Sequence, residues 1–203
     1  MTLYLSIIGV FSLVLYFVNI IFNLTAFSNI TVAIVILGGV LFEIAVDGLF
    51  ALLIHFCPTK WFEIDKKVFT VSSKERKFYE KIKIRKWKDK VVELGGLGGF
   101  RKNELKSSTD KSYIKQFIIE SNKGVITHII GCFIGFIILW IFPSQCLFCI
   151  SLPIAIANFF LNIPSTFILR YNTPKLMAGY KRLVRNDNLN SLKDNDNRKI
   201  SEV

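Results

Sequence analysis

Histidine occurs twice in this chain, at His55 and His128, and His128 lies about one turn inside an apolar run. An imidazole can take and return a proton near neutral pH, which makes His128 the best general base on offer. The alternative is a histidine that only hydrogen-bonds at a bilayer interface. Glu120 could orient it, but eight residues of unbroken helix span about 12 Å. Direct contact therefore requires a break, which Gly124 permits. Glu43 and Asp47 stand four residues apart, on one helical face inside another apolar run. Intramembrane acids are expensive enough to suggest function. The alternative is a pair facing the bundle interior, neutral or matched to a cation. Lys83–Lys90 packs five cations and Trp87 into eight residues. Asn158 and Asn162, between Pro153 and Pro164, belong to a backbone expected to kink, with amides facing protein or substrate rather than lipid.

The elements that position these groups follow from composition. With 52% apolar residues and 19 phenylalanines in 203 positions, the chain is too greasy for a soluble domain. A membrane span takes about 20 mostly apolar residues, and stretches at about 3–22, 30–56, 125–142 and 146–169 come close. Of the 26 Lys and Arg, 18 fall between Lys60 and Lys123 and 8 from Arg170 onward. The positive-inside rule then puts both termini and the long 59–124 segment at the cytoplasmic face. The expected fold class is thus all-α integral membrane: four spans in one membrane domain (1–185), multi-pass in the cell membrane, with a disordered polar tail at 186–203. A net charge of +11 suits anionic lipid, and nucleic acid is a poor partner for so apolar a chain.

Within the basic segment, Ile84, Trp87, Val91 and Leu94 recur at helical spacing, predicting an amphipathic helix over about 74–94 on the membrane surface. The glycines at 95–99 read as a flexible turn rather than a phosphate loop. Residues 113–120 read as a short amphipathic approach to the third span. Cys57 and Cys132 read as small hydrophobes. Cys146 and Cys149 allow a disulfide or redox pair, which nothing else in the pattern supports. No metal site and no bound cofactor are expected.

Three separated blocks resemble the glycosyl-4,4'-diaponeurosporenoate acyltransferase family, small membrane enzymes that add a fatty acyl chain to a sugar hydroxyl of a carotenoid. They are Phe78 to Lys90 with its Arg-Lys-Trp-Lys core, Phe117 to His128, and Ala157 to Leu176 with Arg-Tyr-Asn-x-Pro-x-Leu. Where the family pattern carries a second acid before the histidine, this chain has Val125. The resemblance implies that His128 deprotonates an acceptor hydroxyl with Glu120 supporting it. It implies acyl-CoA or acyl carrier protein as donor, a glycolipid or lipid-linked sugar as acceptor, and substrate binding by Arg85, Lys86, Trp87, Lys88, Asn158, Arg170, Tyr171 and Asn172. Among these, Arg85, Lys86, Lys88 and Arg170 would meet phosphate, and Asn158 or Asn172 would polarise the carbonyl.

Two other readings compete with an acyltransferase. A non-catalytic membrane subunit could use its basic segment to dock a partner or anionic lipid. A small transporter could route ions past Glu43 and Asp47, although the chain shows no inverted repeat.

Overall fold

The computed structural model describes residues 2–91 and 109–201, with side chains at 5–91 and 109–189. The described residues are 86% helical and contain no strand. Leu94, the 95–99 glycines and most of the expected 101–112 loop lie outside them.

Helix α1 (Thr2–Ile21) turns at Asn23, whose φ of 45° is one that Asn tolerates better than most residues, into α2 (Asn29–Phe56). Ser28 caps α2 by accepting from the Thr31 N–H at 3.2 Å. After α2 come α3 (Ser73–Lys81) and the short α4 (Ile84–Trp87). Asp110 then caps α5 (Lys111–Ile134), accepting from the Ser112 and Tyr113 N–H groups. A 3₁₀ turn leads into α6 (Ile138–Ile141), and a π-turn over Leu147–Ser151 opens α7 (Leu152–Ser201).

Three helical stretches are long and apolar enough to cross a membrane: Asn29–Phe56, Lys111–Ile141 and Ser144–Leu189. α1 contributes a shorter apolar helix, Leu5–Ile21. Leu15, Val32, Ile36, Ile138, Cys146, Ile150 and Ile154 form the core where α1 passes to α2 and α6 to α7. There Asn19 donates to the Cys149 carbonyl at 3.0 Å, beside the π-turn. All four cysteines are free.

Several expectations are corrected. α5 begins at Lys111 and runs unbroken past Gly124, because the apolar face of 113–120 (Ile114, Phe117, Ile118, Ile119) is buried in protein and continues the helix. Gly124 makes no break. A Cβ there would sit 2.9 Å from Leu169, so the glycine lets α7 approach. α7 continues as one helix through Pro164 and Pro174, and it extends to Ser201 across the segment expected to be a disordered tail. No further proline or glycine follows Gly179 to stop it.

The predicted 74–94 helix is broken at Lys83, which adopts φ 52°. The break turns Ile84 and Trp87 onto α7, where they pack with Tyr79, Phe167, Ile168 and Tyr171, instead of onto lipid. The Trp87 indole N–H satisfies the Ile82 carbonyl at the break (3.0 Å). Upstream, Phe62 and Phe69 pack on Ile119, and the buried Asn122 amide donates to the Phe62 carbonyl at 2.9 Å. Lys123, also buried, donates to the His55 carbonyl at the end of α2 (3.1 Å), a favourable place for a cation.

A clamp fastens the 58–91 segment, the strap, to α7. Arg170 on α7 grips Glu75 through both carboxylate oxygens, at 2.5 and 2.8 Å, and donates to the Val68 and Thr70 carbonyls. The Tyr79 hydroxyl donates to the same carboxylate at 2.5 Å. Arg170 first of all, helped by Tyr79 and the Ser72 backbone, holds the Glu75 carboxyl below its usual range, while burial and Glu75 push the Tyr79 phenol up. A depressed acid stabilises fully above its unfolded pKa of about 4.3, and the contribution fades as pH falls through the lower folded value. In a chain whose only tryptophan is Trp87, with Trp61 and Trp140 changed to Phe, the indole emission should shift red on acidification below about pH 4.3. Glu75→Gln should weaken strap docking by about 1–3 kcal/mol and abolish that acid transition. An unchanged acid transition in Glu75→Gln would refute the clamp.

Candidate functional site

Three stripes of polar or small residues, each at i, i+3 or i+4 spacing, face one another where α2, α5 and α7 meet. α2 presents Glu43 and Asp47, α7 presents Asn158 and Asn162, and α5 presents His128, Gly131 and Gly135. Spacings of three and four residues align side chains on one helical face. The contacts themselves show that the three faces meet.

His128 Nδ1 lies 2.9 Å from Asn162 Oδ1. The Asn162 amide nitrogen donates to Asp47 Oδ2 at 3.0 Å and to the Asn158 carbonyl at 3.2 Å. Asn158 in turn directs its amide nitrogen at Glu43 Oε2 (3.1 Å), the Gly131 carbonyl (3.2 Å) and Asp47 Oδ1 (3.4 Å). Thr166, one turn further along α7, donates to the Asn162 carbonyl at 3.3 Å. The network thus runs from the imidazole through two carboxamides to two carboxylates. Asn158, Asn162 and Glu43 are buried, Glu43 to 4% exposure, whereas Asp47 and His128 are half-buried. Glu43 Oε1 has no hydrogen-bond partner. A buried polar atom without a partner costs about 1–3 kcal/mol, so Glu43 marks the most stressed point of the cluster.

The glycines make this approach possible. A Cβ on Gly131 would meet the Asn162 amide at 2.8 Å, and one on Gly135 would meet Glu43 Oε2 at 2.5 Å and Asn158 Nδ2 at 2.7 Å. Small residues at helix interfaces let backbones come close enough for polar side chains to bond across them.

The basic segment forms a second region. Lys88 Nζ lies 3.4 Å from Asn172 Oδ1 and 6.0 Å above the Tyr171 ring, while Arg85 and Lys86 are exposed. Asn172 follows Asn162 by ten residues on α7, about 15 Å along the axis. The two regions therefore share a helix without sharing a contact point.

The predicted site residues divide accordingly. Lys88, Tyr171 and Asn172 come together, with Trp87 beside Tyr171 in the same apolar cluster. Glu120 does not reach His128: it accepts from Gln116 at 2.9 Å and Lys123 at 3.3 Å, because the unbroken α5 keeps it two turns away. Asn162 takes the place proposed for it. Arg170 pairs with Glu75 and donates to the Val68 and Thr70 carbonyls. The Asn158 amide has two N–H groups facing three acceptors of the network. Glu43, Asp47 and Asn162 stood out in the sequence but were not assigned to one site with His128. Their signal was the matching i, i+4 spacing of Glu43–Asp47 and Asn158–Asn162 in otherwise apolar helices. Among the described residues, no group of three His, Cys, Asp or Glu side chains is placed to hold a metal.

Residues 58–182, well over half of the chain, match the family model described as glycosyl-4,4'-diaponeurosporenoate acyltransferase. That span contains His128, Asn158, Asn162 and the basic segment, and it excludes Glu43 and Asp47. Neither the curated proteins nor the solved structures provide a match.

Gly135→Ala should drive the new methyl into Glu43 and Asn158 and lower stability by about 1–3 kcal/mol. Gly9→Ala, with nothing within 4 Å, should be neutral or slightly stabilising. Thermal unfolding of the two variants in detergent compares them directly. Equal midpoints would mean that the helices are not in close contact at Gly135.

Proposed function

The chain belongs to the glycosyl-4,4'-diaponeurosporenoate acyltransferase family and is an enzyme of the acyltransferase class; from that premise we propose that it moves a fatty acyl group from a thioester to a hydroxyl of a glycolipid or lipid-linked sugar. The observation that carries the reading is His128, inside the family-matched span, held at Nδ1 by a buried amide. With Nδ1 occupied as a donor, Nε2 is the basic nitrogen. It takes the hydroxyl proton as the acceptor oxygen attacks the thioester carbonyl carbon. The carbon–sulfur bond then breaks, and the imidazolium returns the proton to the departing thiolate, giving an ester and a free thiol.

The polar end of the donor, acyl-CoA or acyl carrier protein, is assigned to Arg85, Lys86 and Lys88, with Tyr171, Asn172 and Trp87 alongside. Ammonium and guanidinium groups bind phosphate oxygens well. The separation of about 15 Å between Asn172 and Asn162 along α7 leaves the acyl end of an extended donor to reach His128. The acyl chain and lipid acceptor would lie among the apolar helices.

The same reading makes the protein a multi-pass enzyme of the cell membrane. α1 has 20 residues, about the 30 Å needed to cross the hydrocarbon, and joins the three longer helices as a fourth span. Both termini and the basic strap then face the cytoplasm, as the distribution of Lys and Arg favours.

His128→Ala should reduce acyl transfer from long-chain acyl-CoA to extracted glycolipid by at least about 100-fold while the protein stays folded. His55→Ala, whose ring packs against Phe56 at the far end of α2, should retain activity. Mass spectrometry of the lipid product reads both variants. Full activity in His128→Ala would remove the proposed base.

A further inference from the structure

An imidazole can act as a base only through a nitrogen that carries a lone pair, and a neutral ring has one such nitrogen. Which one it is depends on what faces the other. In this protein the answer is set on α7 and α2. The Asn162 amide nitrogen sits between Asp47 Oδ2 (3.0 Å) and the Asn158 backbone carbonyl (3.2 Å). A backbone carbonyl can only accept, and so can an ionised carboxylate. The NH₂ group of Asn162 must therefore face those two oxygens, and its own oxygen must face His128 Nδ1 at 2.9 Å. An oxygen acceptor at that position selects a protonated Nδ1.

We propose that Asn162 is a positioning residue that fixes His128 in the Nδ1–H tautomer, with Asp47 and the Asn158 carbonyl locking the Asn162 amide in the required orientation. The role of that tautomer in acyl transfer rests on His128 being the base; the tautomer itself does not. The packing gives the lock its stiffness. Asn162 is buried, its amide fills the space that the missing side chain of Gly131 leaves, and Thr166 bonds its backbone carbonyl. Asp47 lies on α2, outside the family-matched span, so an element beyond residues 58–182 sets the state of a residue within them.

The test exploits the presence of only two histidines. The full chain is labelled with ¹⁵N-histidine, placed in bilayers and measured by solid-state NMR at a pH where the rings are neutral, with His55→Asn assigning the signals. The expected result is a His128 ring protonated at Nδ1 with a lone pair on Nε2. Asn162→Leu should release the ring to the Nε2–H form and lower kcat by at least about 100-fold with KM little changed. The exchanged pair Asp47→Asn with Asn162→Asp again places an acceptor at Nδ1 and a donor between the two, so it should keep the Nδ1–H form. A wild-type ring protonated at Nε2 overturns the proposal, whether or not any variant folds. So does an Asn162→Leu protein that keeps the Nδ1–H form. If the tautomer changes in Asn162→Leu while kcat does not, the positioning role stands and His128 is not the base.

Discussion

Two acids on α2 and two carboxamides on α7 bond to one another among apolar helices and reach His128 and the Gly131 carbonyl on α5, and the packing of α2, α5 and α7 is arranged around those bonds. Glu43 and Asp47 bring acceptors, Asn158 and Asn162 bring donors, and each acid reaches an amide on α7 across the bundle. In water such bonds would contribute little. In a low-dielectric interior an unmatched group is heavily penalised, so the pairing selects one register of the helices over others. Gly131 and Gly135 are the steric counterpart of that chemistry, since any side chain there would occupy the volume of the amides and of Glu43. His128 bonds to this network through Asn162, so its ring orientation is tied to the helix packing.

The strap is held by different physics. Ile84, Trp87 and Tyr79 bury apolar surface on α7, and the Arg170–Glu75 clamp with its two carbonyl contacts fixes where that surface lands. Arg170 holds this architecture, and of the other cations expected to meet phosphate, Arg85 and Lys86 are exposed and Lys88 is half-buried over Tyr171. Asn122 and Lys123 tie the strap's beginning to α5. In the proposed reaction, α7 links a cationic region for the donor's polar end to a polar centre for its carbonyl.

Much of this was legible in the residues. The apolar runs, the basic segment between them and the chemical aptitude of His128 follow from composition and spacing alone. Glu43 and Asp47 stood out as costly acids, although their partners did not. The misreadings have a common origin in treating one helix at a time. Glu120 was matched to His128 because both lie on α5, whereas the true neighbour comes from α7. The Ile84, Trp87 and Val91 stripe was assigned to lipid because periodicity marks an apolar face without saying what covers it; α7 covers it. Gly124 was read as a hinge, and it is a contact point for Leu169. A comparison of stripes between helices, acids on one, amides on the second, glycines on the third, would have found the site. A polar pair at i, i+4 in an apolar helix needs a complementary pair somewhere else.

The central claim is that His128 and the buried amide beside it work as one unit. A double-mutant cycle on acyl transfer, with His128→Ala, Asn162→Leu and the two combined, tests this most directly. The account predicts that the double variant is no slower than His128→Ala alone, because the amide acts only through the ring. Losses that multiply would show that Asn162 contributes independently of His128, and would contradict the account.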